Sequence, residues 1–555
     1  MLLGSGPART SGRSGLHKAA ILAVADTAGK AGPVLDCGRP GMSDRDTHDT
    51  LVLDGASLDL DGLESVADGR PVGLAESARQ AVLASRRVVD EAVARGDVVY
   101  GVTTGFGNFA EVRIPLDRLR ELQVNLLRSH AAGVGAALGE RETRALMVLR
   151  ANVLARGFSG VRLPTLELLL ELLNRRVHPV VPSQGSVGAS GDLAPLAHLA
   201  LPLIGEGECL VDGRRLPGAQ ALRAVGLQPV TLEPKEGLAL INGTQLTTAL
   251  GALAVAGARR LARAADVVGA LTLDALLGTD VAFDPRIHAA RPHPGQQAAA
   301  RNLRRLLAGS GLRESHRNCG RVQDAYSLRC MPQVHGAARD ALDYAGRTHL
   351  VEMNAATDNP MVFADTGEIL SGGNFHAQPV ALACDVVAIA AAQLGTISER
   401  RIERLVNPAL SGLPAFLARE GGLHSGLMMA HVTAAALASE TKALAHPGSV
   451  DSIPTSAGKE DHVSMGPTAA WKAARAVANT SRVLAVELLA ACEAVEFHRP
   501  VRSSPALEAV VAAVRRQVPD HGQDRVLGPE IEALADSLGC GAVAAAVAAE
   551  CGALE

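Results

Sequence analysis

Apolar positions in residues 76–95 recur at helical spacing, with Ala78, Val82, Leu83, Val89, Ala92 and Val93 on one stripe and Gly96 as the stop. Residues 142–156 repeat the pattern and end at Gly157, and a third stretch opens at Pro164, runs through Leu173 and closes near Pro179 and Pro182. Beyond residue 245 the stretches lengthen. Segments 246–275, 333–350, 377–404, 424–445 and 468–495 are rich in Ala and Leu, which predicts a bundle of long helices. Gly-rich loops fall at 101–107, 185–191 and 371–373, and loops held by rigid helices are where chemistry tends to sit. Two short pieces read as strand: 51–53, and 209–211 followed by an Asp212-Gly213 turn. No solenoid-like period repeats.

The expected fold is therefore mainly α, a long antiparallel helical bundle with a smaller, loop-rich α domain at its N-terminal side. Composition changes at Met42, and residues 1–48 are expected to form a disordered extension. The expected divisions after it are an N-terminal domain over 49–245, a central bundle over 246–500 and a C-terminal helical segment over 501–555.

Composition narrows the function classes. Hydrophobic residues make up 47% of the 555 positions and aromatics only 2%, so the interior must be built of Ala, Leu and Val, which suits closely spaced helices. A formal charge of -4 without blocks of like charge argues against a nucleic-acid partner. Eight scattered cysteines without a CxxC pair read as reduced and mostly buried thiols, as expected in the cytoplasm. There is no HExxH motif, paired-Cys motif or carboxylate cluster to argue for a metal. The most apolar windows, 193–204 and 379–397, are short or carry Asp385, so no membrane span is expected. The apolar stretch 19–25 is too short for a signal peptide core with a convincing cleavage site.

One run carries distinctive chemistry: Gly188-Ala189-Ser190-Gly191-Asp192-Leu193-Ala194-Pro195-Leu196-Ala197-His198. Attack of the Gly191 nitrogen on the Ala189 carbonyl would close a five-membered ring, and loss of water would turn Ser190 into an exocyclic methylene. Gly191 supplies an unhindered nitrogen and the backbone freedom of a tight turn, Ala189 adds little bulk, and Ser190 carries the leaving hydroxyl. The product, 4-methylidene-imidazol-5-one, is an electrophile that needs no external cofactor. A serine-hydrolase elbow is a poor fit, because it needs Gly two residues after the Ser and Asp192 stands there. The faint echo of an aspartase/fumarase loop at residues 464–467 lacks the lysine and Asn-Pro context of that class.

The longer string ASGDLAPLAHLALPLIGEG, residues 189–207, closely resembles the signature of the aromatic amino acid ammonia-lyases, the histidine/phenylalanine ammonia-lyase family. The resemblance runs from about Leu51 to about Leu538. It implies non-oxidative deamination of a small-molecule amino acid through the self-made ring, with no metal and no dissociable cofactor, and a mainly helical homotetramer with active sites shared between subunits.

The resemblance also assigns roles to residues. Tyr100 in YGVTTGFG would remove the β-proton, and Asn242 in KEGLALINGTQ would lie between ring oxygen and substrate, where an amide both donates and accepts. Gln323, Tyr326 and Arg329 in RVQDAYSLRC would share one face if that segment is helical. Arg329 would pair with the substrate carboxylate, while Tyr326 and Gln323 would orient substrate and assist ring formation. Phe375 in SGGNFHAQP would pack against the electrophile, and Gln378 stands where many histidine-specific members carry Glu.

Two polar markers bear on the substrate. Ser129-His130 in LQVNLLRSHAAGVG looks like the histidine-specific pattern, and Glu460 in SIPTSAGKEDHVSMG takes the place where phenylalanine and tyrosine enzymes carry Gln. A carboxylate can accept an imidazole N–H, whereas beside a benzene ring it would be left unpaired at high cost. The expected substrate is L-histidine. A phenylalanine or tyrosine lyase, or an aminomutase, would use the same prosthetic group. Asp192 is expected to N-cap a helix starting near Leu193, whose positive end would face the ring.

Overall fold

Helices form where apolar spacing places them. The computed structural model describes residues 50–317, 319–520 and 522–555, so the extension expected over 1–48 lies outside the described residues. Glu76–Arg95 is helical and ends on Gly96 in the left-handed region, which satisfies its last carbonyls. Ala78, Val82, Val89 and Ala92 are buried as expected, whereas Leu83 faces solvent. Leu163–Asn174 opens with Pro164 in its first turn. Glu140–Ala155 is buried on all sides from Thr143 onward. It packs against Leu60–Ala67, Leu163–Asn174 and the long helix Gln245–Ala275.

The five long segments become the helices Gln245–Ala275, Met331–Met353, Gln378–Val406, Met428–Leu444 and Gly466–Glu496. Their order in the chain alternates direction. Thr244, ahead of the first, donates to Glu352 at the end of the second (2.6 Å). Gly448, just past the fourth, donates its amide to Asp385 near the start of the third (2.9 Å). The helices Gln245–Ala275, Gln378–Val406 and Gly466–Glu496 thus begin at one end of the bundle, and the other two finish there. The fold is mainly α, as the apolar pattern indicates.

Small residues allow the close spacing. Where Pro294–Leu307 crosses Met331–Met353, a Cβ on Gly336 would lie 2.3 Å from the Gln296 nitrogen, and one on Gly295 would lie 2.2 Å from the Gly336 carbonyl oxygen. Gln378–Val406 is long and apolar enough to cross a membrane by length and composition, and most of its apolar window is buried against the other bundle helices. The C-terminal helices Pro505–Gln517 and Gly528–Gly539 pack on the bundle.

Strands are short and peripheral. The expected strand at Leu51–Leu53 pairs in parallel with Val72–Leu74, and Glu208–Val211 forms a hairpin with Arg214–Pro217 through Asp212 and Gly213, both at positive φ. The partner strands and the pairs Val134–Ala137 with Pro182–Gln184 and Met361–Phe363 with Glu368–Leu370 have no alternation long enough to reveal them in the sequence. Among the described cysteines, Cys209, Cys384 and Cys492 are buried, while Cys319 and Cys540 are exposed, so burial is less general than expected.

A polar network crosses the centre of the bundle. The Arg401 guanidinium makes two bonds to Glu487 (2.6 and 2.8 Å), which also accepts from Thr272 (2.7 Å). Arg401 and Glu487 have fully buried side chains. Removing one partner leaves the other charge buried and uncompensated. Arg401→Leu is expected to destabilise the protein by about 3–5 kcal/mol, and Arg401→Leu with Glu487→Leu to recover most of that loss. Thermal unfolding midpoints of the two variants check this.

Candidate active site

The 186–192 loop is held from several sides by helix beginnings. Met465, ahead of Gly466–Glu496, donates its amide to the Val187 carbonyl (2.8 Å), and Ala377, ahead of Gln378–Val406, donates to the Gly188 carbonyl (3.3 Å). Ser464 Oγ also donates to the Gly188 carbonyl (2.8 Å). On the far side, Asp192 donates its amide to the Gly243 carbonyl (2.7 Å), just ahead of Gln245–Ala275. Helix N-termini present unpaired N–H groups and partial positive charge, so carbonyls and anions are welcome there.

Gly191 sits at φ +78°, and a Cβ there would lie 2.3 Å from the Gly243 oxygen. No other residue fits that approach. Ala189 is buried in a small apolar cluster with Val463 and Met465. Ser190 is half-buried and carries two polar contacts. Its carbonyl accepts from Asn242 Nδ2 (3.2 Å), and its hydroxyl donates to Glu460 Oε1. The tripeptide therefore fits the ring expected from it: a bare glycine nitrogen, a dry Ala189, an amide on the Ser190 oxygen and an acceptor on the departing hydroxyl.

Asp192 corrects one expectation. The helix does start at Leu193, but the Asp192 side chain makes no cap bond to it. It caps a different helix, accepting from Thr247 N (2.8 Å) and Thr247 Oγ1 (3.1 Å) in the first turn of Gln245–Ala275, and from Ser186 Oγ (3.1 Å). Burial pushes its carboxyl up to about 6, with the Thr247 and Ser186 bonds opposing that rise.

Glu460 and His130 approach the loop from other elements. Burial raises the Glu460 carboxyl, but hydrogen bonds from Ser190, Thr455 and Ser456 outweigh it and leave the group below the ordinary carboxylate range. Burial lowers His130, partly offset by its bond to Leu126 and by the nearby Glu460 charge. His130 Nδ1 lies 2.9 Å from the Leu126 carbonyl, which can only accept, so Nδ1 carries the proton and Nε2 is left as an acceptor. Tyr100 accepts from the Gly107 amide (3.2 Å) and stands edge-on to Phe106. The Gly107–Phe109 turn beside it touches the Ser456–Gly458 turn that leads to Glu460. Phe375 is half-buried in the loop that ends at Ala377.

The 321–330 segment behaves differently from expectation. Only Tyr326–Arg329 is helical, a single turn, so Gln323 does not share a helical face with it. Gln323 and Tyr326 are exposed, and the Arg329 guanidinium lies over the Tyr326 ring at 4.7 Å. Among the described residues, these three make no hydrogen bond to Ser190, Asn242 or Glu460 within the chain. Gln378 donates to the Ser449 carbonyl (3.4 Å), while its Oε1 is buried without a partner.

Sequence reasoning missed Arg150. This fully buried guanidinium donates to the Asn242 carbonyl (2.8 Å), Gln245 Oε1 (2.6 Å) and the Ala239 carbonyl. Burial lowers it to about 10, which leaves it cationic at neutral pH. The signal was a lone Arg inside the apolar run 145–155. No group of His, Cys, Asp and Glu that could hold a metal ion occurs among the described residues.

Fold and site together define a helical lyase architecture, and the chain belongs to the aromatic amino acid lyase family, whose model matches residues 58–516. It is 58% identical to the histidine ammonia-lyase of Anaeromyxobacter sp. (strain K), over 88% of this chain and 98% of that one. It is 57% identical to the histidine ammonia-lyase of Koribacter versatilis (strain Ellin345), over 89% and 99%. Among solved structures, histidine ammonia-lyase from Trypanosoma cruzi superposes with a TM-score of 0.85 at 45% identity, covering 90% of this chain and 96% of that one. Tyrosine aminomutase from Streptomyces globisporus superposes with a TM-score of 0.86 at 41% identity, covering 90% and 99%.

The buried Asp192 gives a pH dependence with a definite sign. Its folded value, about 6, lies above the ordinary 3.8, so the folded chain holds this proton more tightly than the unfolded one. The resulting stabilisation is full below about pH 4 and is lost as pH rises through about 6. Asp192→Asn should flatten the stability profile in that window, removing a change of at most roughly 3 kcal/mol. Thermal midpoints measured between those two pH values, for both proteins, test it.

Proposed function

We propose that this lyase removes ammonia from L-histidine without oxidation, releasing trans-urocanate, and that Ala189, Ser190 and Gly191 form its 4-methylidene-imidazol-5-one group autocatalytically. The contact between Ser190 and Glu460 carries the reading, because it places an ionised imidazole acceptor directly at the ring-forming serine. When formed, the group supplies an electrophilic carbon that turns the substrate amine into a better leaving group.

The chain's own residues do the rest. Glu460 accepts the substrate imidazole N–H, and His130 Nε2 stands ready as a second acceptor. Arg329 holds the carboxylate in a bidentate pair. Tyr100 takes the β-proton as the Cα–N bond breaks, the double bond forms and ammonia leaves. Asn242, whose Nδ2 donates to the Ser190 carbonyl (3.2 Å), would hold the group at that oxygen, where a hydrogen-bond donor is of most use. Tyr326 and Gln323 orient the substrate, and Phe375 packs against the electrophile.

Arg329, Tyr326 and Gln323 make no hydrogen bond to Ser190, Asn242 or Glu460 within the described chain, which is in keeping with their serving the site of another copy in a homotetramer with shared active sites. Apolar side chains exposed on the long helices, among them Leu382, Ile389, Met429 and Val432, are consistent with that assembly. The backbone of tyrosine aminomutase is equally similar, but an ionised Glu460 is better matched to an imidazole than to an apolar ring. The scattered cysteines, without a CxxC pair, support a cytoplasmic location for the enzyme.

Intact mass of the purified chain should fall short of its translated mass by two water molecules. Ser190→Ala should retain its helical circular dichroism, keep the hydroxyl-free chain undehydrated and lose turnover of L-histidine. Full turnover in that variant would end the proposal. Glu460→Gln should lower kcat/KM for L-histidine by at least about 10²-fold while changing any turnover of L-phenylalanine or L-tyrosine far less. Absorbance of urocanate, and chromatography for β-amino acids, separate lyase from aminomutase.

A further inference from the structure

Asn242 stands at a corner that has little intrinsic reason to be rigid. It ends the six-residue helix Glu236–Ile241, is followed by Gly243 at φ +152°, and precedes Gln245–Ala275. A helix that short is not stable alone. Buried charges clamp it at both ends. At its start, Glu236 accepts from Arg162 (Nε, 3.0 Å), Thr165 (2.6 Å) and the Glu233 amide (2.8 Å), while Lys235 pairs with Asp358 (3.2 Å). At its end, Arg150 holds the carbonyls of Ala239 and Asn242.

Arg150 also reaches across the corner to Gln245 Oε1, and Gln245 Nε2 is tied to Thr357 Oγ1 (2.6 Å). One guanidinium therefore joins the last turn of the short helix to the first residue of the long one. Between those anchors lie the two atoms that meet the 186–192 loop: Asn242 Nδ2 on the Ser190 carbonyl within the tripeptide, and the Gly243 carbonyl under the amide of Asp192, the next residue after it. Helix-end carbonyls favour a cation, and a planar fork fixes two of them at once. A Cβ on Gly243 would lie 2.6 Å from Arg150 Nη1, so the guanidinium is seated directly against the corner.

We infer that Arg150 is a positioning residue for the reaction: it sets the Asn242 amide against the Ser190 carbonyl and acts on catalysis through Asn242. The inference rests on the proposed role of the 189–191 tripeptide. Lysine at position 150 keeps the charge but cannot bridge both carbonyls and Gln245. The amide would then be displaced while the substrate contacts assigned to Arg329, Glu460 and His130 stay in place. The loss falls on kcat, with KM nearly unchanged, and a displacement of about 1 Å costs on the order of 10²-fold.

A double-mutant cycle on the full chain tests this, with L-histidine as substrate and intact mass as a separate readout. Arg150→Lys and Asn242→Ala should each lower kcat, and the double variant should be no slower than Asn242→Ala alone, because both act through one amide. Losses that multiply, or a wild-type kcat in Arg150→Lys, would overturn the role of Arg150. If Arg150→Lys does not fold, Gln245→Met takes its place in the cycle. It removes one guanidinium acceptor and leaves the cation, with the same non-multiplicative outcome expected and multiplication again fatal. A wild-type chain at its full translated mass would instead overturn the functional reading, and this inference with it. A dehydrated wild type with multiplying losses removes only Arg150.

Discussion

Three long helices begin at one place, and the loop over residues 186–192 is held there by the N–H groups they bring together. Gln245–Ala275, Gln378–Val406 and Gly466–Glu496 bring unpaired N–H groups to a small volume. The loop answers with carbonyls from Val187 and Gly188 and a carboxyl from Asp192. Each group would be costly if buried alone, and each satisfies the other. Up-down alternation of the five bundle helices makes this possible, because every second helix must start at the same end. A tight loop rich in polar backbone is thereby held mainly by helix beginnings, with no disulfide among the described residues.

Buried charge is the means by which the rest of the fold serves that site. Arg144 and Arg150 lie on the buried part of the helix Glu140–Ala155, six residues apart in sequence, and both bond carbonyls near the ends of other helices. Arg144 takes those of Val66 and Leu173, and Arg150 those of Ala239 and Asn242. Deeper in the bundle, Arg401 and Glu487 link two long helices. Such pairs add little net stability compared with apolar packing, but they fix geometry, since misalignment leaves a charge without compensation. A core made of Ala and Leu has few shape features to fix helix register, so directional polar contacts carry more of that task here.

Much of the architecture was legible. Alanine and leucine at helical spacing located the long helices to within a few residues, because an amphipathic or wholly apolar helix writes its period into the chain. Gly96 and Pro164 marked boundaries for local reasons. The short strands were less visible, since Val72–Leu74 and Pro182–Gln184 are too brief for alternation to register. Asp192 was misread for a related reason. Its position one residue before a helix suggested a local cap, whereas its oxygens reach Thr247, 55 residues away. The spacing of Gln323, Tyr326 and Arg329 suggests one helical face, but only one turn forms; Gln323 and Tyr326 are exposed and Arg329 is partly buried over the Tyr326 ring.

By itself, then, the chain of residues determined a helical lyase fold and an Ala-Ser-Gly tripeptide set in a Gly-rich loop, and it carried the polar residues His130 and Glu460 on which the proposed substrate rests. These depend on residue type and local spacing, which are present before folding. Tertiary structure alone decided that Asn242 and Glu460 meet Ser190 from positions 52 and 270 residues away. It also decided that Asp192 caps a distant helix and that Arg150 locks the Asn242 corner. Those choices follow from which helix ends are brought together in a water-poor interior, where every N–H, carbonyl and charge must find a partner, and no local pattern encodes that pairing.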